Sequence, residues 1–158
     1  MKVLLVGVAI IMISLMSLTF HSDYANYELT EQALKNEADK CASAAVLYFD
    51  EEAYGDGELL LKDDDAVKAV ERMLDKKCIW QLHLFDDSGR HRTYEDGRLT
   101  AETAFSYPCT FADETGYETE IDRPAVIVTV SYEGDFYRLT GVGQKAITRS
   151  SMYTVNSR

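Results

Sequence analysis

The sequence predicts an α+β protein in which a long N-terminal helix, half transmembrane and half amphipathic, packs on a small antiparallel β-meander. Three observations carry this. An uncharged apolar run extends from Val3 to Phe20, a breaker-free and Ala-rich segment follows it to Phe49, and strand-like alternation dominates from Ile79 onward. Helix first and antiparallel strands afterwards is the order of an α+β domain.

The apolar run comes first. At eighteen residues it lies near the lower limit for a helix that crosses a bilayer. Val3, Leu4, Leu5, Val6, Val8, Ile10, Ile11, Ile13, Leu15, Leu18 and Phe20 supply its large side chains. Ser14, Ser17 and Thr19 are tolerable in lipid because a helix satisfies its own backbone. A removed signal peptide has a shorter apolar core and small residues before its cleavage site, whereas Asp23 interrupts the one small-x-small ending here. The expectation is an uncleaved anchor over residues 1–22. Lys2 precedes the run and Asp23, Glu28 and Glu31 follow it, so the positive-inside rule places residues 23–158 outside the cytoplasm.

Composition bounds the remainder. About 140 residues are enough for one domain with its own core. Hydrophobic residues make up 46% of the chain, with ten Tyr, six Phe and only two Pro, so large apolar side chains are available to fill that core. The formal net charge of −11 repels nucleic acid and anionic headgroups. Nucleic-acid partners are therefore excluded, and the membrane partner is the lipid around the first helix.

From Tyr24 to Phe49 there is no Pro or Gly, and Ala, Leu, Glu, Gln and Lys dominate, a helix-favouring composition. Tyr27, Leu34, Cys41 and Tyr48 recur every seven residues, with Ala38 and Ala45 between them. Together they draw one narrow packing stripe along a helix spanning 23–49. Nothing breaks the chain between anchor and stripe, so a single helix from about Val3 to about Phe49 is expected, nearly 70 Å long at ~1.5 Å per residue. The alternative is two helices joined by a bend near His21 to Asn26.

Gly55-Asp56-Gly57 marks a turn and Glu58 to Lys62 a short strand. Asp63-Asp64-Asp65 reads as the N-cap and first turn of a helix over 63–77, with Val67, Val70, Met73 and Leu74 at helical spacing and Lys76-Lys77 closing it. Strands begin at 79. Ile79 to Phe85 places Trp80, Leu82 and Leu84 on one face, Asp87-Ser88-Gly89 turns the chain, His91 to Tyr94 returns, and Glu95-Asp96-Gly97 turns it again. Ala101 to Ile121 reads as an irregular acidic surface loop with one short strand. After Pro124, Val126, Val128, Val130 and Tyr132 alternate with Ile127, Thr129 and Ser131. Glu133-Gly134-Asp135 then reads as a hairpin turn, Phe136 to Thr140 as its return, and Lys145 to Val155 as the last strand.

Residues for chemistry are few. His83 alternates with apolar neighbours in a strand, which reads as a structural histidine, and His91 between Arg90 and Arg92 reads as a solvated loop residue. No CxxC, HExxH, GxSxG or phosphate-cradling Gly loop is present. The acids at Asp50-Glu51-Glu52, Asp56 and Glu58 do not fit an EF-hand register, since Tyr54 and Leu61 occupy its fifth and twelfth positions. The reading is of no enzyme: no catalytic residue, no cofactor and no metal ligand. An extracytoplasmic domain with three cysteines invites one disulfide. Cys78 with Cys109 would tie the loop to the sheet and leave Cys41 in the helix stripe. Cys41 with Cys78, or three thiols, are the alternatives.

The stretch Asp39-Lys40-Cys41-Ala42-Ser43-Ala44-Ala45 after the apolar helix is similar to the Ala-rich segment of TadE-type proteins of Flp (tight-adherence) pilus systems. Pro124-Ala-Val-Ile-Val-Thr-Val, and Ile147-Thr-Arg-Ser-Ser-Met-Tyr153, resemble the terminal strands of those proteins and of related proteins from Gram-positive bacteria. The order of elements resembles pilins and the pseudopilins of type II and type IV secretion-like systems, and the resemblance covers roughly half the chain. It implies a pilin-like fold and a membrane-anchored, outward-facing structural component of a surface pilus or secretion apparatus. The partners it implies are other pilin-like subunits, in a homo-oligomer, and assembly-platform proteins. On this reading Ala45→Leu impairs assembly. The competing reading is a monomeric, single-pass anchored ectodomain that binds or senses a ligand through the loop between Ala101 and Ile121.

Overall fold

One unbroken helix, α1 (Lys2–Ala45), carries the chain from its apolar run into the folded domain, without the alternative bend near His21. The computed structural model describes residues 2–74, 77–134, 136 and 145–155. At ~1.5 Å per residue, the 44 residues of α1 reach about 66 Å. The expected end near Phe49 moves back to Ala45. Leu47 and Tyr48 donate to Ala44 and Ala45 in a tight closing turn, and Phe49 then pairs with Leu61 as an isolated antiparallel bridge. That bridge, flanked by Asp50 N–H to Leu60 O at 2.8 Å and Lys62 N–H to Tyr48 O at 2.8 Å, prevails over local helix propensity. It is also what remains of the strand expected over Glu58 to Lys62. Between its arms Asp50 caps a short helix, α2 (Glu51–Gly55), by accepting from Glu52 N–H.

The next helix, α3 (Asp63–Met73), differs from expectation at both ends. Its cap is Lys62, without a side-chain cap bond, and it stops at Met73 instead of Lys77. Asp63 is already helical, and its carboxylate bonds Arg92 and Tyr94. Ala66, Val67, Ala69 and Val70 are buried, the face an amphipathic helix turns to the core.

Five antiparallel strands form the sheet, in the order β3-β2-β1-β6-β7. They are β1 (Ile79–Phe85), β2 (Arg90–Glu95), β3 (Arg98–Ala104), β6 (Ala125–Gly134) and β7 (Lys145–Thr154). β1 to β3 are a meander, as expected, with Asp96 and Gly97 at positive φ in the β2–β3 turn, the backbone a two-residue hairpin needs. The second half is not a continuation of it, because β6 crosses back to pair with β1 and brings β7 to the far edge. The expected turn at Glu133-Gly134-Asp135 is displaced: β6 continues to Gly134, opposite Lys145. Of the return strand expected over Phe136 to Thr140, only Phe136 lies within the described residues.

The segment from Ala101 to Ile121 is the largest correction. It is not an irregular loop: β3 continues to Ala104, and β4 (Cys109–Ala112) and β5 (Glu118–Ile121) form a separate hairpin. Phe111 and Ile121 from that hairpin cover Phe85, Ala125 and Ile127 in a second core. β6 is buried at every position from Ala125 to Val130 because both faces of the sheet are covered, one by α1 and α3, the other by the hairpin.

The main core lies between α1, α3 and the sheet. Leu34, Ala38, Cys41, Ala42 and Ala45 of α1 meet Leu82, Leu84, Val126, Val128 and Val130. Small residues let the helix axis approach the sheet closely, and their stripe is used inside the subunit. Ala45 has no exposed surface, so Ala45→Leu should act first on the fold and not on assembly, costing about 1–3 kcal/mol through overpacking. Thermal unfolding of the full chain in detergent checks this; an unchanged midpoint would show that the site can expand. Tyr48, expected at the end of the stripe, lies beyond the helix and is exposed, and Val46 takes the buried place.

A largely buried ionic cluster holds α3 to the sheet. Asp86, 1% exposed, follows β1 and accepts from the backbone of Leu61 at 3.1 Å and Ser88 at 3.1 Å. It also bonds the Ser88 hydroxyl and the Arg92 guanidinium. Arg92 reaches Asp63 at 2.7 Å, so one cation on β2 joins the end of β1 to the start of α3.

Candidate functional site

The most exposed feature is the first half of α1. Val3, Leu4, Leu5, Val6, Ile10, Ile11, Ile13, Leu15, Leu18 and Phe20 are all more than half exposed, and Val8 is half exposed. α1 is long and apolar enough to cross a membrane, and its most apolar window buries nothing inside the fold. Apolar surface on this scale marks contact with lipid or with other chains. The Ser14, Thr19 and Thr30 hydroxyls bond the carbonyl four residues back, at 2.8, 2.9 and 2.8 Å, so these side chains add no unsatisfied polar group to the helix surface.

The second half of α1 is fixed to the domain by packing and by polar contacts to β7. Lys35 Nζ donates to Ser150 O at 3.0 Å and pairs with Asp39 at 3.1 Å. The Ser151 hydroxyl bonds Asp39, and Arg149 pairs with Glu31. Tyr27 meets Phe136 edge to face at 5.5 Å. The helix is therefore a rigid arm on the domain. On the side away from the sheet, Leu29 is 64% exposed, an apolar residue that the amphipathic pattern does not account for.

The cysteines are placed differently from expectation. The Cys78–Cys109 disulfide is not made, because Cys78 packs on the helix-side core and Cys109 on the opposite face of the sheet. Cys41 and Cys78 are the pair close enough to interact electrostatically. Burial and the neighbouring Glu37 push the Cys41 thiol up to about 11, so it stays protonated and unreactive at neutral pH.

The outer face of the sheet holds an arrangement that the sequence reading missed. His91 is not in a solvated loop: it lies in β2, half-buried, with its ring stacked on Phe85 at 4.1 Å. Antiparallel pairing of β1 with β2 brings it beside His83, with Nδ1 of His83 3.2 Å from Nε2 of His91 and 3.1 Å from Thr93 Oγ1. Phe111 covers the pair, 4.7 Å from the His83 ring. His83 Nε2 is buried without a hydrogen-bond partner. The only sequence signal was the shared parity of His83 and Phe85 on β1, which says nothing of His91 until the register is known. Among the described residues no three His, Cys, Asp or Glu side chains converge on a metal-sized site.

Burial, followed by the neighbouring His91, pushes His83 down to about 4 from its ordinary 6.5, and burial lowers His91 too. Between those values the unfolded chain binds the His83 proton and the folded chain does not, so stability rises with pH. The contribution is intact above about pH 6.5 and is lost as pH falls towards 4, by up to about 3 kcal/mol for His83. Urea unfolding at pH 7 and pH 5 checks this. The difference should shrink in His83→Gln, and an equal difference in both proteins would contradict the assignment.

With the geometry in view, comparison with known proteins adds no identity. The chain matches no protein-family model, no curated protein and no solved structure.

Proposed function

We propose that this protein is a membrane-anchored, outward-facing structural subunit of the minor-pilin or pseudopilin kind, assembling with like chains through its long helix. The observation that carries the reading is the division of α1, whose first half lies outside the fold while its second half forms the domain's core. An anchor alone needs only about 20 residues and any linker. A continuous helix instead fixes the height and rotation of the domain relative to the membrane, as side-by-side packing of identical helices requires. Lys2 before the run and acids after it support the outward orientation. The Ala stripe is used within the subunit, so contacts between copies fall to the opposite side, where Leu29 is exposed.

Shearing cells that express the full chain and fractionating them tests the proposal. Recovery in sheared filaments or in large membrane complexes is expected, with Leu29→Glu reducing it while leaving the unfolding midpoint unchanged. A monomer in detergent and in cross-linked membranes would overturn assembly. That result would favour the second reading, an anchored binding or sensory module, which draws on the same inward-facing Ala stripe.

A further inference from the structure

We infer that the cleft between the β4–β5 hairpin and the outer face of the sheet binds a small uncharged, hydroxyl-rich ring, one monosaccharide unit. The cleft has a volume of about 270 Å³, just below the usual range for drug-sized ligands, a size suited to a single small ring. Its position on the face opposite α1 makes the inference independent of whether the chain assembles.

The class of ligand follows from the groups in the wall. Among the described residues no Lys or Arg lines the cleft, so nothing there compensates an anion. A carboxylate is present, but Asp113 is saturated: Oδ1 accepts from Thr115 N–H at 2.8 Å, the Thr115 hydroxyl at 2.6 Å and Tyr117 N–H at 2.9 Å, and Oδ2 accepts from the Ser150 hydroxyl. It has little capacity left for a cation. Glu114 stands exposed at the rim.

What remains is neutral and two-sided. Ser150 gives its one proton to Asp113, so in the 2.9 Å contact with Thr129 it is Thr129 that donates, which leaves the Thr129 oxygen as an acceptor towards the cleft. Ser131 and Thr148 share one hydrogen bond at 2.7 Å, which leaves one hydroxyl proton between them. Gln81 offers both an acceptor and donors. His83, itself 8% exposed, lines the cleft and has a buried and unpartnered Nε2; leaving such an atom unpaired costs about 1–3 kcal/mol, which a small shift of the ring towards a ligand hydroxyl would recover. Ile79 and Phe111 supply apolar surface for the C–H faces of a ring. Alternating donors and acceptors beside apolar patches match a sugar, and a wall without a cationic side chain does not match an anion.

The test uses the full chain in detergent micelles with ¹⁵N-labelled histidine, titrated to 100 mM on the order of weak single-sugar sites with glucose, galactose and N-acetylglucosamine, and separately with ethylamine and acetate. The expected result is a saturable shift of the His83 ring nitrogens with at least one sugar, with affinity falling at least about tenfold in Thr129→Val and in Ser131→Ala at an unchanged unfolding midpoint. No response to any sugar overturns the inference. So does a response confined to ethylamine or acetate, or a sugar response that both variants leave intact.

Discussion

A chain lacking residues 2–20 should leave the membrane fraction completely and remain folded. No residue of the most apolar window is buried inside the fold, so the core should form without it. Each large apolar side chain moved from water into lipid contributes about 1.5–3 kcal/mol, and thirteen of them, Met12 and Met16 included, stand exposed along the run. The lost anchoring is thus on the order of tens of kcal/mol, far beyond what polar contacts at the surface could replace. Carbonate-washed membranes and circular dichroism of the soluble fraction provide the check. A truncated chain that stays on membranes would place the membrane contact elsewhere, and one that unfolds would show that the run supports the domain.

The second large effect is expected at Arg92. Arg92→Met should destabilise the fold by about 3–5 kcal/mol, the usual result of removing one partner from a buried ionic cluster. The reason is what it leaves behind. Asp86 is 1% exposed, and without the guanidinium its negative charge keeps only the backbone and Ser88 donors. Asp63 loses its cation at the same time, so the start of α3 loosens from β2. Replacing Asp86 as well, in Arg92→Met with Asp86→Leu, should restore part of the loss, since the more deeply buried of the two carboxylates is then no longer left without its cation, while Asp63 still is. Chemical unfolding of the single and double variants reads this directly. Equal stability of Arg92→Met and the unaltered chain would remove the cluster from the account of the fold.

Neither the Arg92 cluster nor the histidine pair was legible in the chain, and both were hidden for the same reason. His83 and His91 are eight residues apart, and they meet only because the turn after Asp87 sets a register pairing His83 with Thr93 and Phe85 with His91. A shift of one residue would have turned His91 to the other face. Asp63 likewise read as part of a helix cap, and Asp86, next to the turn at Asp87-Ser88-Gly89, carried no signal of its own. Their partnership with Arg92 depends on where α3 docks. The hairpin at Cys109–Ile121 escaped because its strands are four residues each and mostly polar outside Phe111 and Ile121, too short for alternation to stand out.

The strongest local patterns were legible. The apolar run, the breaker-free passage into an Ala-rich helix, and the alternation at Trp80, Leu82, Leu84 and at Val126, Val128, Val130 each have one physical solution. That solution is a lipid-length helix continuing into a close-packing one, with strands presenting a single apolar face to it. These periodicities belong to the backbone itself, and they are why the sequence alone determined an α+β class built on one long helix. Tertiary structure decided how those pieces close: the helix gives up its last turn to the Phe49–Leu61 bridge, β6 crosses back beside β1, and a hairpin covers the outer face. Each outcome turns on contacts between residues distant in the chain, whose free energy exceeds local propensity and is invisible until the partners meet.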